Sequence, residues 1–465
     1  MRSILNKRIK FLFSDQISFS KISGDFNPIH IDKEYARRSI ASEIAVHGIN
    51  ILFTSINIYL KKIRTRSDIK SIRVKFLKFI HLNKFFNLKI YKNKKYTYFE
   101  VFDNEDLLLN IEIKFTKKLK KKNNFVSKKF PFKKPLETDL KKFKINNKFF
   151  EKIEINKNLF VKKYKYLNKF LNFNHVLDLI TITRLIGMKV PGKNSILYEI
   201  ILKNKRTNNF QNSFILKKFD KRFNLINLSF FGQSFRGEII TLLRPKKIIY
   251  SIDKKKLKIK SNEFSKQRAL VIGGSKGLGE TTVRILKCGS ASILFSYNKG
   301  SQDAKKIRSE NIKNIHAFNY NVEKKIKNEV KKKILKFKPT HLYYFATPKI
   351  FSGKNYEFDL NKLEKFNDYY LNGFLKIFNE LDKKILQKIF FPSSIAVNKI
   401  TKDLCEYSCS KASQEILLKF LEKKYKHIQF SYPRLPRLKT DQTLNVFDRS
   451  KMPDRVILKF VRKLL

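Results

Sequence analysis

Apolar and polar positions follow different periods in three stretches of the chain. Over residues 1–117 they predict a loop, a short helix, a long helix and then antiparallel strands. Ile49, Leu52, Phe53, Ile56, Ile58 and Leu60 make residues 49–63 apolar on most sides, which suits a helix wrapped by a sheet. Residues 72–77 alternate with period two, and 86–91, 96–101 and 107–115 are further strand candidates. Residues 145–250 replay this order: an apolar helical run from His175 ended by Gly187, a turn at Pro191-Gly192, and strands at 195–202, 214–219, 223–231 and 239–243. From Arg268 onward strand and helix alternate (269–272, 281–287, 292–296, 341–345), the pattern of a parallel, doubly wound sheet. Three folded segments are therefore expected, 1–117, 145–250 and 267–465, joined by basic linkers at 118–144 and 251–266.

The composition narrows this picture. In 465 residues, 42% hydrophobic content is enough for several real cores. No apolar run reaches the ~20 residues needed to span a bilayer. The basic start, residues 1–13, lacks a long apolar core and a small-residue cleavage site, so no signal peptide is expected. Cys288, Cys405 and Cys409 make neither a disulfide framework nor a four-ligand zinc site, so no metal is expected and a reducing cytoplasm is the simplest compartment. The net charge of +63 invites a nucleic-acid reading. Its excess is mostly Lys, spread over every segment beside abundant Asn, Ile and Phe, as a codon bias toward A and T would give. No specific nucleic-acid partner is expected, although a basic surface attracts anionic carriers.

Ser23-Gly24-Asp25-Phe26-Asn27-Pro28-Ile29-His30 places a carboxylate and an imidazole five residues apart in a loop too rich in Gly, Asn and Pro to be helix. Val46-His47-Gly48 then opens the long helix. An acid and a base on a rigid turn, beside backbone N–H groups at a helix start, suit the addition or removal of water across an activated carbon–carbon bond. With His47-Gly48, this stretch resembles the MaoC-like, (R)-specific enoyl hydratase family of hot-dog fold. The resemblance implies that Asp25 and His30 are the catalytic pair, that Asn27 braces the loop, and that the Gly48 N–H polarises a thioester carbonyl. His47 is expected to hold the turn. The 145–250 segment has no Gly-Asp-x-Asn-Pro counterpart. It is expected to be a degenerate second hot-dog repeat with a structural role, completing a pseudo-dimer and lining an acyl tunnel.

Val271-Ile272-Gly273-Gly274-Ser275-Lys276-Gly277-Leu278-Gly279 follows a predicted strand and opens a helix, the context of a dinucleotide phosphate loop. Tyr407-Ser-Cys-Ser-Lys411 follows downstream, with Ser394 thirteen residues before Tyr407 at the end of an apolar strand. These motifs resemble the short-chain dehydrogenase/reductase family. Carried over, Tyr407 is the proton donor, Lys411 lowers its pKa and contacts the nicotinamide ribose, and Ser394, preferred to Ser393 on spacing, orients the substrate carbonyl. Gly273, Ser275, Lys276, Gly277, Leu278, Gly279, Asn298, Lys299, Asn321, Val322, Ala346, Tyr407 and Lys411 would bind the cofactor. The second strand ends in Ser296-Tyr297-Asn298-Lys299, with a cation and no acid, and this with Lys276 favours NADPH over NAD. Asn321-Val322, Phe345-Ala-Thr-Pro348 and Pro433-Arg434 depart from the family's usual residues, and the helix Asn is out of register, with Tyr370 and Asn372 nearby.

The expected architecture is thus an α+β hot-dog domain, doubled by a degenerate repeat, followed by an α/β Rossmann-type doubly wound parallel sheet. The expected partner is an acyl-CoA or acyl-carrier-protein thioester, reduced at C3 and then dehydrated. An oxidative sense with NAD, or a reductase for a sugar or another ketone beside a carrier-binding hot-dog domain, are the alternatives. Homo-oligomers are compatible with either.

Overall fold

The computed structural model describes residues 2–117, 126–137, 144–205, 211–310, 313–351, 357–445 and 450–465. The chain divides into two compact units, Met1–Lys247 and Ile248–Leu444 with Asp448–Leu465.

The first unit opens with strand β1 (Arg2–Lys10) and helix α1 (Phe13–Ser23), neither of which the sequence pattern predicts. β1 lies at a sheet edge with mostly exposed side chains, so it shows no alternation. α1 buries Gln16, Ser20 and Ser23 beside Phe19 and Ile22, which blurs its apolar stripe. The short helices α2 (Pro28–Ile31) and α3 (Lys33–Arg37) follow, then α4 (Gly48–Ile63). His30 therefore sits in a helical turn rather than in a loop. Pro28 at its first position pre-sets φ and the Asn27 side chain caps it, accepting from the Ile29 N–H. Strands β2 (Ser67–Phe76), β3 (Phe85–Lys92), β4 (Thr97–Asp103) and β5 (Asp106–Lys117) complete this half.

The second half comprises β6 (Val126–Ser127), β7 (Lys148–Glu151), β8 (Glu154–Ile155), α5 (Lys157–Lys163), α6 (Lys165–Phe170), α7 (Phe173–Met188), and β9 (Ser195–Asn204) to β12 (Phe235–Leu243) through β10 (Asn212–Asp220) and β11 (Leu225–Phe231). One ten-stranded sheet runs β1-β3-β4-β5-β2-β9-β12-β11-β10-β7. Counting β7 as the first strand of the second half, each half reads 1-3-4-5-2 outward to inward. Each places a 16-residue helix, α4 or α7, between its first and second strands. The halves join where β2 runs antiparallel to β9, with Val74 opposite Ile200 and the Arg73 guanidinium 2.7 Å from Glu199.

α4 buries Ile49, Leu52, Phe53, Ile56 and Leu60, while α7 is buried along its whole length. Leu177, Leu179, Ile180, Ile182 and Leu185 on α7 each stabilise the core by roughly 1.5–3 kcal/mol. Among its buried polar side chains, Asp178 accepts from the backbone N–H groups of Gln233, Ser234 and Phe235. Gly187 does not end this helix, which continues through Met188. A Cβ at Gly187 would lie 2.3 Å from an Asp25 carboxylate oxygen, so the residue is small to admit that carboxylate.

Neither connector is simply a solvated linker in its described part. β6 pairs in parallel with β8, the Phe132 ring meets Phe26 edge-on at 5.7 Å, and the Leu136 N–H donates to Met188 O. In the second unit, Leu257, Ile259 and Phe264 enter the core. Apolar residues inside each Lys-rich stretch anchor it.

The second unit carries a parallel sheet in the order β15-β14-β13-β16-β17-β19, formed by β13 (Arg268–Ile272), β14 (Ser292–Tyr297), β15 (Ile315–Asn319), β16 (His341–Tyr344), β17 (Lys388–Phe390) and β19 (Gln429–Ser431). Numbered from β13 this is 3-2-1-4-5-6, the doubly wound dinucleotide-binding order. The short β18 (Ser393–Ser394) pairs with β20 (Arg434–Leu435). Helices α8 (Gly277–Cys288), α9 (Ser301–Ser309), α10 (Asn328–Phe337), α11 (Leu360–Asn367), α12 (Gly373–Glu380) and α13 (Cys405–Lys424) intervene between the strands. Among the described residues no helix is long and apolar enough to cross a membrane.

Candidate active sites

In the first unit, α1 ends at Gly24, whose φ of 78° turns the chain back over the helix, and its N–H donates to Ser20 O. This turn delivers Asp25 into the protein, 2% exposed. One carboxylate oxygen accepts from the Asn27 N–H at 3.1 Å, and the other from the Thr183 hydroxyl of α7 at 2.8 Å. Arg184, also on α7, clamps the same turn by donating to Ser23 O and pairing with Glu151 at 2.9 Å. Asn27 bridges the halves: its amide donates to Gly187 O and Gly192 O, while its oxygen accepts from Arg244.

His30 donates from Nδ1 to Ala45 O at 2.7 Å, so the neutral ring carries its hydrogen there and leaves Nε2 as an open lone pair. Its ring stacks on His47 with centroids 3.9 Å apart. His47 is held by Gln16 Oε1, 2.8 Å from Nδ1, and its Nε2 lies 3.2 Å from Asp25 O. Ligand atoms of Asp25, His30 and His47 all lie within 4.8 Å of one another. Three of the four ring nitrogens are engaged by protein groups, which leaves His30 Nε2 as the open one beside the Asp25 carboxylate. Gly48 opens α4, so its N–H has no intrahelical acceptor; Phe76 closes the side where a Cβ would stand.

Burial raises the Asp25 carboxyl to about 6, against the pull of Thr183, the Asn27 N–H, Arg184 and Arg244. Burial likewise lowers His30 to about 4, with Arg244 acting in the same direction and the Ala45 carbonyl opposing. At neutral pH the site therefore holds a neutral imidazole beside a carboxylate close to its titration point.

In the second unit, Gly273 (φ +81°) makes the tight turn after β13, where a Cβ would meet the Ala346 backbone at 2.8 Å. A Cβ at Gly279 would sit 2.1 Å from Gly273 O, so helix and loop touch there. Gly277 (φ +62°) faces open space, its nearest neighbour being Thr440 at 3.9 Å. These are the demands of a loop that admits a pyrophosphate at a helix start. Ser275 is buried in the loop, Lys276 precedes α8, and Leu278 packs on the core. Asn298 and Lys299 are exposed beyond β14, and Asn321 and Val322 follow β15, Val322 buried. This set fits a phosphorylated dinucleotide: the backbone leaves room at Gly277, and no carboxylate follows β14 where a 2′-phosphate would lie.

Tyr407 and Lys411 share the buried face of α13. Burial pushes the Tyr407 phenol up to about 12, with the Ser394 hydroxyl pulling it down. Ser393 is turned away, donating to Glu415 at 2.5 Å. The Lys411 ammonium is held by groups other than Tyr407 in this structure. The Lys411 ammonium donates to Pro392 O at 2.9 Å and to Gln414 Oε1 at 2.7 Å, and lies 4.0 Å from the Tyr370 ring centre. Burial brings its own pKa down to about 7, which weakens it as a charge beside the phenol. Tyr370 lies in a π-helical turn, Asp368–Asn372, and its hydroxyl meets Thr347 at 2.5 Å.

Sequence reasoning passes over Gln16, which α1 hides among its polar positions, and over Thr183, Arg184 and Arg244, which reach the site from a distant part of the chain. The one local signal is the run of polar residues inside the otherwise apolar α7.

No curated protein matches the chain. Among solved structures it is similar to BdcA in complex with NADPH (17% identity, 43% of this chain and 88% of that one, TM-score 0.39). It is also similar to a short-chain dehydrogenase/reductase from Serratia marcescens (17%, 43% and 91%, 0.39) and to the oxidoreductase yciK from E. coli (14%, 44% and 91%, 0.39). A family profile described as "MaoC like domain" matches residues 3–107, the stretch that holds Asp25, His30 and Gly48. Residues 3–107 of this chain are a MaoC-like domain.

Proposed function

We propose that the chain is a bifunctional acyl-thioester enzyme: its second unit reduces a 3-oxoacyl thioester to the 3-hydroxyacyl thioester, and its first unit removes water to give the trans-2-enoyl thioester. In this reading the ten-stranded sheet is a double hot-dog, and the second unit is a short-chain dehydrogenase/reductase. The observation that carries it is the juxtaposition of the Asp25 carboxylate with the open Nε2 of His30 near the start of α4. Elimination breaks the C2–H and C3–O bonds and forms the C2–C3 double bond. The pair takes the C2 proton onto the Asp25 carboxylate or the His30 Nε2 and passes that same proton to the departing hydroxyl, which leaves as water, and the Gly48 N–H meets the charge that builds on the thioester oxygen.

For the reduction, Gly273, Gly277 and Gly279 would hold NADPH, which would supply the hydride that C3 needs. Tyr407 gives its proton to the C3 oxygen, and Ser394 orients that carbonyl. Lys411, one turn along α13 from Tyr407, is the cation available to favour the phenolate that this leaves. The 3-hydroxyacyl thioester is product of one unit and substrate of the other, which favours this pairing over a reductase for an unrelated ketone. Purified protein should oxidise NADPH with 3-oxoacyl thioesters across a series of chain lengths and hydrate crotonyl-CoA. Oxidation with sugar ketones alone, without hydration, would replace this reading with the carrier-binding alternative.

A further inference from the structure

The second half of the ten-stranded sheet has no Gly-Asp-x-Asn-Pro stretch of its own, yet its helix α7 meets the turn that carries Asp25 at three places. Thr183 donates its hydroxyl to the carboxylate at 2.8 Å. Arg184, 5% exposed, donates to Ser23 O just before the turn. Gly187 leaves the space the carboxylate occupies. Thr183 is itself 6% exposed, and its hydroxyl points out of a helix whose neighbours are apolar. Such a hydroxyl in a buried helix usually bonds its own helix four residues back, as Thr181 does to Leu177 O; Thr183 bonds across to the other half instead.

We infer that Thr183 is a positioning residue of the dehydratase site, so that the second half is a working part of that site rather than only its scaffold. The inference rests on the dehydratase reading of Asp25 and His30. With the Asn27 N–H on one oxygen and the Thr183 hydroxyl on the other, the carboxylate plane is fixed from both sides, one from each half of the sheet. A donor to a carboxylate also favours its charged form. The charged and titratable groups around Asp25 are Arg184 on α7, with its partner Glu151 on β7, Arg244 after β12, His30 on α2 and His47 before α4. Both arginines favour the carboxylate, and both histidines are held neutral by burial. Thr183 is the one side-chain hydroxyl among the described residues that bonds this carboxylate directly.

The test is the pH profile of crotonyl-CoA hydration by the full-length protein. Wild type should lose activity below a midpoint of about 6, as the Asp25 carboxylate protonates. Thr183→Val keeps the shape and removes the donor. It should raise the midpoint by about one unit and lower kcat by about tenfold, with KM little changed. Thr183→Ser should restore both. Should the Val variant fail to fold, Thr183→Cys, a weak donor, takes its place, and its midpoint should also rise relative to Ser. A Val or Cys variant with the wild-type midpoint and kcat overturns the inference. No hydration by wild type at any pH removes the dehydratase reading and the inference with it, a different and separately visible failure.

Discussion

Asp25→Asn should lower kcat for hydration of crotonyl-CoA by roughly 10²–10⁴-fold, the range for loss of a positioned proton-transfer group. The substitution is nearly isosteric. The amide oxygen can still accept from one of the two donors that hold the carboxylate, the Asn27 N–H or the Thr183 hydroxyl. The turn from Ser23 to Asn27 is fixed mainly by backbone and Arg184 contacts, which the change leaves alone. What disappears is a group able to gain and lose a proton near pH 6 beside the His30 lone pair. Steady-state hydration by wild type and variant, with thermal unfolding as a check on integrity, measures this. A variant with more than about one tenth of wild-type kcat would move the acid–base role away from Asp25.

Tyr407→Phe should reduce NADPH oxidation with a 3-oxoacyl thioester by a similar roughly 10²–10⁴-fold, because in the proposed reduction Tyr407 is the group that protonates the substrate carbonyl. The ring keeps its edge-on contacts with Phe366 at 5.6 Å and Tyr370 at 5.9 Å, so the fold of the second unit should survive. Tyr407 is buried and its phenol sits at about 12 before any ligand binds, which makes it a proton donor rather than a phenolate at neutral pH. NADPH binding, followed by fluorescence, should persist in the variant. Loss of binding together with turnover would show that Tyr407 serves the fold or the cofactor rather than the transfer. Unchanged turnover would place the proton donor elsewhere.

The alternating strands from Ser67 to Lys117 and from Ser195 to Leu243 are legible in the sequence because each buries one face on a helix and leaves the other wet. The dinucleotide loop is legible because its glycines answer to local backbone needs that only glycine meets. Asp25 and His30 are legible as a pair because one turn carries both. Their supports are not. Thr183, Arg184 and Gly187 lie about 160 residues downstream, and Gly187 reads as a helix stop in sequence because nothing local shows the carboxylate that demands it. Lys411 is a milder case. Its place on α13 follows from four-residue spacing, and Gln414 lies on the same helix face, but the carbonyl of Pro392, which shares its ammonium, becomes a neighbour only in the folded unit. The edge strand β1 is hidden for the opposite reason, since so little of it is buried that its composition matches solvated surface.

Supplying the full-length protein with a 3-oxobutyryl thioester and NADPH, and following the acyl products with time, tests the central claim most directly. The expected sequence is 3-hydroxybutyryl thioester first, then its trans-2-enoyl product, with Asp25→Asn halting at the hydroxy compound and Tyr407→Phe leaving the oxo compound unchanged. If wild type oxidised NADPH and the hydroxyacyl thioester accumulated with no enoyl product, and added crotonyl thioester took up no water, the two centres would not serve one substrate.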